Sequence, residues 1–379
     1  MFATWSYPTT VRFGPGRVAE LADACATAGM QRPLFVTDRG LAALDLTNAV
    51  RARLEDAGLG DAAFTEVDPN PDEKCLARGI AVYRDGEHDG VIAFGGGSAL
   101  DLGKLIALMA HQTVSVFDLE DREDWWTRAD PNAIAPIIAV PTTAGTGSEV
   151  GRAGVLTDSR SSVKKIIFHP RCLPTVVICD PELTVGMPAP ITAGTGMDAF
   201  AHCLEAYCSP HYHPMSQGIA LEGMRLVKEN LPRAYKTPDD IEARAHMMSA
   251  AAMGAVAFQK GLGAIHALSH PIGAVHGTHH GTTNAVVMQP VLAFNRPAIE
   301  DRLAHAAAYL GIDAGFDGFC RFVAELTASL DIPANLSALG VGDPDIPRLT
   351  GMALDDPSVG GNPLPMTEEA TAALFRACM

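Results

Sequence analysis

The feature that most restricts the fold is a change of texture partway along the chain. In the first half, short apolar runs rich in β-branched residues alternate with stretches of helical spacing. Pro33–Asp38, Ala63–Val67, Val91–Phe94 and Pro136–Val140 read as strands. Gly40–Gly58, Asp72–Asp85 and Ala99–Ala110 read as the helices between them. That alternation predicts βαβ units and a mainly parallel sheet. Beyond CDPELTVGMP the short strands give way to a period near 3.6. It runs through Pro190–Ser209, Pro214–Leu231, Asp239–Phe258, Gly263–Val275, Ile299–Leu310, Phe316–Leu330 and Thr367–Cys378. The expectation is an α/β unit over residues 1–180 and an all-helical unit over residues 181–379. Asp118–Asn132, acidic and tryptophan-bearing, reads as an irregular excursion.

Composition supports two buried cores, since 47% of the 379 residues are hydrophobic. A net charge of −16 with no basic patch speaks against nucleic acid and anionic membrane surfaces as partners. No apolar run approaches the roughly 18 residues that span a bilayer. The opening MFATWSYPTT has neither a basic nor an apolar signal-peptide region. The eight cysteines form no CxxC pair and are expected to be reduced core residues of a cytoplasmic protein.

Two loops carry phosphate-binding chemistry. Gly95, Gly96 and Gly97 follow a strand and precede a helix beginning near Ser98, where backbone N–H groups and the helix dipole favour an anion. A second small-residue loop, Thr142–Gly147, also ends a strand, and ligands of open α/β sheets sit at such carboxyl ends. Neither loop is GxGxxG or a Walker A. Asp38 closes a third strand. It suits a ribose diol and NAD over NADP, and it equally suits a helix N-cap.

A second constellation is made of metal donors. Asp198 and His202, four apart in a helical stretch, share one helix face. GLGAIHALSHPIGAVHGTHHG reads as a second helical stretch carrying His266, His270, His276, His279 and His280. Spacing alone pairs His266 with His270, and does not say which imidazoles ligate an ion and which stand beside it. A carboxylate with several imidazoles suits Fe²⁺ or Zn²⁺.

Taken together, GGGSALDLGK, PTTAGTGSEV, GTGMDAFAHCLEAY and GLGAIHALSHPIGAVHGTHHG make the chain resemble the iron-containing (group III) alcohol dehydrogenases along essentially its whole length. The resemblance implies a dehydroquinate synthase-like architecture: an N-terminal dinucleotide-binding α/β domain and a helical domain holding metal and substrate. It implies metal ligation by Asp198, His202, His266 and His280, with Fe²⁺ or another divalent ion, and moves His270 to substrate contact or proton relay. It implies NAD contacts from Asp38, Asn70, Gly96, Gly97, Ser98, Asp101, Thr142, Thr143, Thr146 and Lys164. With all four ligand positions filled, it points away from the metal-free maleylacetate reductases. The implied reaction is reversible hydride transfer between a primary alcohol and the nicotinamide C4, with the ion as Lewis acid. A homodimer or higher homo-oligomer, with an edge strand near the N-terminus, is the implied assembly.

Within that family, SEVGRAGVL, IIFHPRCLP, DPELTVGMPAPITAGTGMDA, HPMSQGIALEG and AFQKGLGAIHALSHP look like the bacterial 4-hydroxybutyrate dehydrogenases. Arg152 could then bind the remote carboxylate of an ω-hydroxy acid, or serve a surface or interdomain salt bridge. A general short-chain alcohol, propanediol or lactaldehyde reductase is the alternative within the family. A dinucleotide- and metal-binding sensor is the non-enzyme alternative.

Overall fold

A computed structural model describes residues 7, 9–161 and 163–379. It divides into two compact units. One is Tyr7–Thr143 with Ser148–Val185; the other is Ala144–Gly147 with Gly186–Met379.

The first unit is built on a six-stranded parallel sheet among the described residues. Its strands are β1 (Thr10–Phe13), β2 (Pro33–Asp38), β3 (Ala63–Val67), β4 (Gly90–Gly95), β5 (Ile137–Pro141) and β8 (Val176–Cys179), in the spatial order β1-β8-β5-β4-β2-β3. The central strands β2, β4 and β5 are buried almost throughout, as parallel strands covered on both faces must be. Alternate residues feed two cores. Leu34, Val36, Val91 and Ile137 face one, with Leu102, Leu105 and Ile106. Phe35, Ile92, Phe94, Ile138 and Val140 face the other, with Leu21, Val50 and Leu54. The covering helices are α1 (Leu21–Thr27), α2 (Arg39–Ala42), α3 (Asp45–Asp56), α4 (Glu73–Asp85) and α5 (Gly97–Met109). The remaining strands, β6 (Ala153–Asp158) and β7 (Val163–Phe168), form a separate antiparallel pair.

The second unit is helical: α6 (Ala189–Cys208), α7 (Pro214–Lys236), α8 (Ile241–Ala257), α9 (Ala264–His276), α10 (His280–Tyr309), α11 (Gly315–Ser329), α12 (Ile346–Leu354) and α13 (Glu368–Ala377). In α6 every residue from Thr192 to Cys208 is buried, so its polar side chains must find partners inside the protein.

Several expectations are corrected. The stretch read as one helix over Gly40–Gly58 is two, α2 and α3, broken at Ala43–Leu44. Strands β6, β7 and β8 were not expected; β1 lies at the sheet edge, where the resemblance implied an N-terminal edge strand, and is largely exposed, so it lacks the buried apolar run that marks a central strand. The helix read from Ile299 starts at His280 and accommodates Pro290 and Pro297, which sequence rules take as breaks. Helix α12 was not foreseen. Asp118–Asn132 is irregular, with short 3-10 turns at Val116–Leu119, Trp125–Arg128 and Pro131–Ala133. All eight cysteines are free, seven buried and Cys320 half-buried.

Candidate functional site

The sheet reverses its direction of build between β2 and β4: the chain goes from β2 outward to β3, then returns to place β4 on the other side of β2. Ligands of doubly wound sheets bind outside the strands' carboxyl ends at such a point. Asp38 ends β2 and Gly95 ends β4. Gly95 has φ +147°, and a Cβ on it would lie 2.7 Å from Ala99 Cβ, so only glycine fits. Gly96 is the N-cap of α5, and a Cβ there would come 3.2 Å from Thr143 Cγ2. Thr142 N–H donates to Gly95 O at 3.0 Å, joining the β4 and β5 loops. Ser98 Oγ donates to Pro69 O, holding the loop that carries exposed Asn70 against the α5 N-terminus. Asp38 Oδ1 accepts from Leu41 N at 3.0 Å, so the N-cap role is real, while Oδ2 sits 3.8 Å from where a Gly95 Cβ would be.

Other predicted cofactor residues are placed differently. The Asp101 carboxylate is engaged by protein: Ser148 Oγ donates to it at 2.5 Å, Val155 N at 3.0 Å, and Lys104 Nζ pairs with it at 3.2 Å. Thr146 lies in Ala144–Gly147, part of the helical unit. Lys164 is on β7 opposite Thr157. The Arg152 guanidinium stands over the Phe168 ring at 5.2 Å and makes no hydrogen bond or ion pair within 4.0 Å among the described residues. Burial pushes the Asp121 carboxyl up, and the nearby Arg152 charge only partly opposes that rise. Glu149 is almost fully buried, and burial raises its carboxyl to about 7, with Lys104 opposing.

In the helical unit, close backbone approach assembles the donors. A Cβ on Gly281 would lie 2.0 Å from Gly194 O and 2.9 Å from Asp198 Cβ. Glycine at both positions lets α10 lie directly on α6, which brings His280 to Asp198. Helix α9 ends at His276 with Gly277 left-handed, so His280 opens a new helix instead of extending α9. The expected two-helix arrangement is therefore a three-helix one: Asp198 and His202 from α6, His266 from α9, His280 from α10.

Asp198 Oδ1 is ringed by His202 Nε2 at 3.6 Å, His266 Nε2 at 3.7 Å and His280 Nε2 at 3.5 Å. These separations are too long for hydrogen bonds. They fit donors sharing one ion, since bonds of about 2.1 Å place tetrahedral ligand atoms about 3.4 Å apart. Asp198, His202 and His266 are buried and offer donor atoms within 4.8 Å of one another. The donor set, three imidazole nitrogens and one carboxylate oxygen, suits a divalent transition ion. Burial, partly offset by Asp198, holds His202 down to about 4, which keeps it neutral and able to ligate. Burial works against Asp198's charge too, but the surrounding histidines outweigh it and hold the carboxyl well below its usual range. Burial also opposes a charged His266, yet Glu205 and Asp198 raise it to about 10.

Three residues at this site were missed by sequence reasoning. Glu205 Oε2 meets His266 Nδ1 at 2.5 Å and its Oε1 accepts from Ile265 N, which turns His266 Nε2 toward the donors. Its spacing from Asp198 and His202, on the same face of α6, was the available signal. Asn284 Nδ2 donates to Asp198 Oδ1 at 2.8 Å. Asp356 Oδ2 meets His270 Nδ1 at 2.8 Å. The His270 ring stacks on His280, centroids 5.2 Å apart, beside the donor set instead of within it. His276 pairs with Asp345 at 3.4 Å, and His279 caps α10, so neither joins the cluster.

The iron-containing alcohol dehydrogenase family matches residues 8–181, and the C-terminal region of the Fe-containing alcohol dehydrogenase family matches residues 192–379. The chain is a member of the iron-containing alcohol dehydrogenase family, and an oxidoreductase. Among individual relatives, the 4-hydroxybutyrate dehydrogenase of Cupriavidus necator is 41% identical, covering 98% of this chain and 97% of that one. A crystal structure of 1,3-propanediol oxidoreductase superimposes with TM-score 0.94 at 34% identity, covering both chains completely. A sulfoacetaldehyde reductase from Bifidobacterium kashiwanohense, in complex with NAD+, superimposes with TM-score 0.89 at 30% identity, over 100% of this chain and 99% of that one. Among the described residues no helix is long and apolar enough to cross a membrane.

Proposed function

We propose that this alcohol dehydrogenase is NAD-linked and metal-dependent, and interconverts an ω-hydroxy acid of the 4-hydroxybutyrate type with its aldehyde, succinate semialdehyde. The end-to-end likeness to the Cupriavidus necator 4-hydroxybutyrate dehydrogenase carries the substrate reading. The Arg152 guanidinium supports it: among the described residues it makes no ion pair within 4.0 Å, and a planar fork can take a remote carboxylate in two hydrogen bonds.

Asp198, His202, His266 and His280 would hold the ion, Fe²⁺ or another divalent metal such as Zn²⁺. When bound, such an ion supplies Lewis acidity to the substrate oxygen. To ligate through Nε2, His266 would have to release the proton that Asp198 and Glu205 help it hold; Glu205 would then keep the Nδ1 proton and leave the Nε2 lone pair for the ion. Asp356 likewise keeps the Nδ1 proton of His270, whose Nε2 takes the proton of the alcohol hydroxyl as hydride leaves the carbinol carbon. The hydride and its electron pair pass to nicotinamide C4 of NAD⁺, giving aldehyde, NADH and one proton. The α5 N-terminus with Gly96, Gly97 and Ser98 receives the pyrophosphate. Asp38 accepts from the ribose hydroxyls through the oxygen not used as a cap, and repels a 2′-phosphate. Thr142, Thr143, Asn70 and Lys164 complete the sheet unit's contacts to the cofactor, and Asp101 acts by holding the Ser148 loop and β6.

Two further features follow from the same reading. Free cysteines suit a reducing cytoplasm. The exposed Val11 and Phe13 on edge strand β1 suit assembly into a homo-oligomer, which a monomeric mass in solution would refute.

The test is steady-state kinetics of the metal-loaded enzyme with 4-hydroxybutyrate, 1,3-propanediol and butanol. The reading expects kcat/KM for the acid to lead by about tenfold or more, and Arg152→Ala to erase that lead. Equal values for the three alcohols would favour a broad short-chain alcohol or propanediol dehydrogenase, the reading to which the 1,3-propanediol oxidoreductase structure lends support.

A further inference from the structure

Helix α9 begins without a cap of its own. Its N-cap is Gly263, which has no side chain to accept a hydrogen bond. The N–H groups of its first turn are met from elsewhere in the helical unit. Asn362 Oδ1 accepts from Ala264 N at 3.1 Å, and Glu205 Oε1 accepts from Ile265 N at 2.7 Å. The two acceptors close over Gly263: a Cβ there would lie 3.0 Å from Asn362 Oδ1 and 3.1 Å from Glu205 Oε1. Glu205 is already the partner of His266 Nδ1. Asn362 holds the same helical turn from the opposite end of the chain.

The Asn362 amide is locked in one orientation. Its Nδ2 donates to Leu364 O at 2.8 Å and to Asn295 Oδ1 at 2.9 Å. Its Oδ1 accepts from Asn295 Nδ2 at 2.9 Å as well as from Ala264 N. Both protons and both acceptor positions are therefore in use. A flipped amide would aim N–H at N–H and oxygen at oxygen. Both asparagines are buried, where a polar group without a partner is costly. The cavity they line with Glu205 is about 20 Å³, room for a single water and far too small for a substrate. What these amides hold is the start of α9.

The segment that carries Asn362 also reaches the neighbouring histidine. Asp356 Oδ1 accepts from Ser358 N at 2.8 Å, while its Oδ2 meets His270 Nδ1. A Cβ on Gly361 would collide with Leu262 O, so this segment lies directly on the turn into α9.

We propose that Asn362, locked by Asn295, is a positioning residue for the ion site: it fixes the first turn of α9 and so sets where His266 Nε2 stands relative to Asp198. Residues 356–362 thus place two histidines of the site, His266 through the backbone and His270 through its ring. The inference rests on the reading of His266 as a metal ligand, and Asn362 itself touches no reacting atom.

Co²⁺ titration of the full chain, freed of metal by dialysis against a chelator, tests it. Affinity and the d–d absorption bands report the donor geometry without turnover. Asn362→Ala is expected to weaken Co²⁺ binding about tenfold and to shift the bands. Asn295→Ala leaves Asn362 in place but frees its amide, and is expected to act in the same direction by a smaller factor. Leu326→Ala, a core truncation on α11 outside this network, is expected to lower stability yet keep the wild-type affinity and bands. Unchanged affinity and bands in Asn362→Ala overturn the proposal, as they do in Asn295→Ala should Asn362→Ala fail to fold. An equal loss in Leu326→Ala also overturns it, because general loosening would then be the cause. Wild-type protein that binds no Co²⁺ would instead overturn the metal reading, and the positioning role with it.

Discussion

The carboxyl edge of the parallel sheet and the histidine cluster of the helical unit prepare for their ligands by opposite means. At the sheet edge the work falls to backbone. Gly95 adopts a φ that other residues resist, Gly96 lets Thr143 come close, and the α5 N-terminus points free N–H groups outward. In the helical unit the backbone is ordinary helix and the work falls to side chains, four donors drawn from three helices. The lesson is about fragility. A backbone site tolerates change in any side chain that leaves the turn intact. A side-chain site fails when one donor or its supporting partner is lost.

The largest effect expected from this contrast is His266→Ala, which should abolish metal retention and turnover with NAD while leaving the sheet unit folded. Metal analysis after gel filtration, alongside NADH formation, measures it; near-normal activity after chelation would contradict the metal reading altogether.

Glu149→Gln probes the sheet unit instead. Glu149's folded pKa, about 7, stands above its ordinary 4.5. The buried carboxyl is therefore comfortable below about pH 4.5, and its contribution to stability is lost as pH rises through 7. The glutamine variant should match the parent near pH 5 and exceed it at pH 8 by on the order of 3 kcal/mol. Thermal denaturation at the two pH values measures this, and a variant that is less stable at pH 8 breaks the account.

Glu205→Gln tests the support under the donors. It removes the charge that orients His266 and should weaken metal binding about 10–100-fold without unfolding α6. Competition with a chromogenic chelator reads the affinity directly; unchanged affinity would reduce Glu205 to a packing residue.

The smallest expected effect is Asp38→Asn. The amide still caps Leu41 N but no longer repels a 2′-phosphate, so the NADP-to-NAD ratio of kcat/KM should rise about tenfold. A ratio that does not move would leave Asp38 as a cap alone.

What could be read from sequence is what depends on neighbours along the chain. Strands β2, β3, β4 and β5 and most helices follow from local periodicity, and the tight turn after β4 follows from three successive glycines. The pairing of Asp198 with His202 follows from helix geometry alone. Edge strand β1 and the β6–β7 pair carry no continuous apolar run, so their existence depends on partners far away in the chain. The same is true of Asp356, which reaches His270 from 86 positions away.

The sequence by itself therefore determined the two architectures, because periodicity is a property of a single chain segment, and its motifs, matched as a set, pointed to the family. Only the tertiary structure decided that His280 begins a helix of its own, that His270 stands outside the donor ring, and that Asp101 is engaged by Ser148 and Val155. Those outcomes depend on which helices can approach closely, and that is set by glycines such as Gly194 and Gly281 meeting across the core.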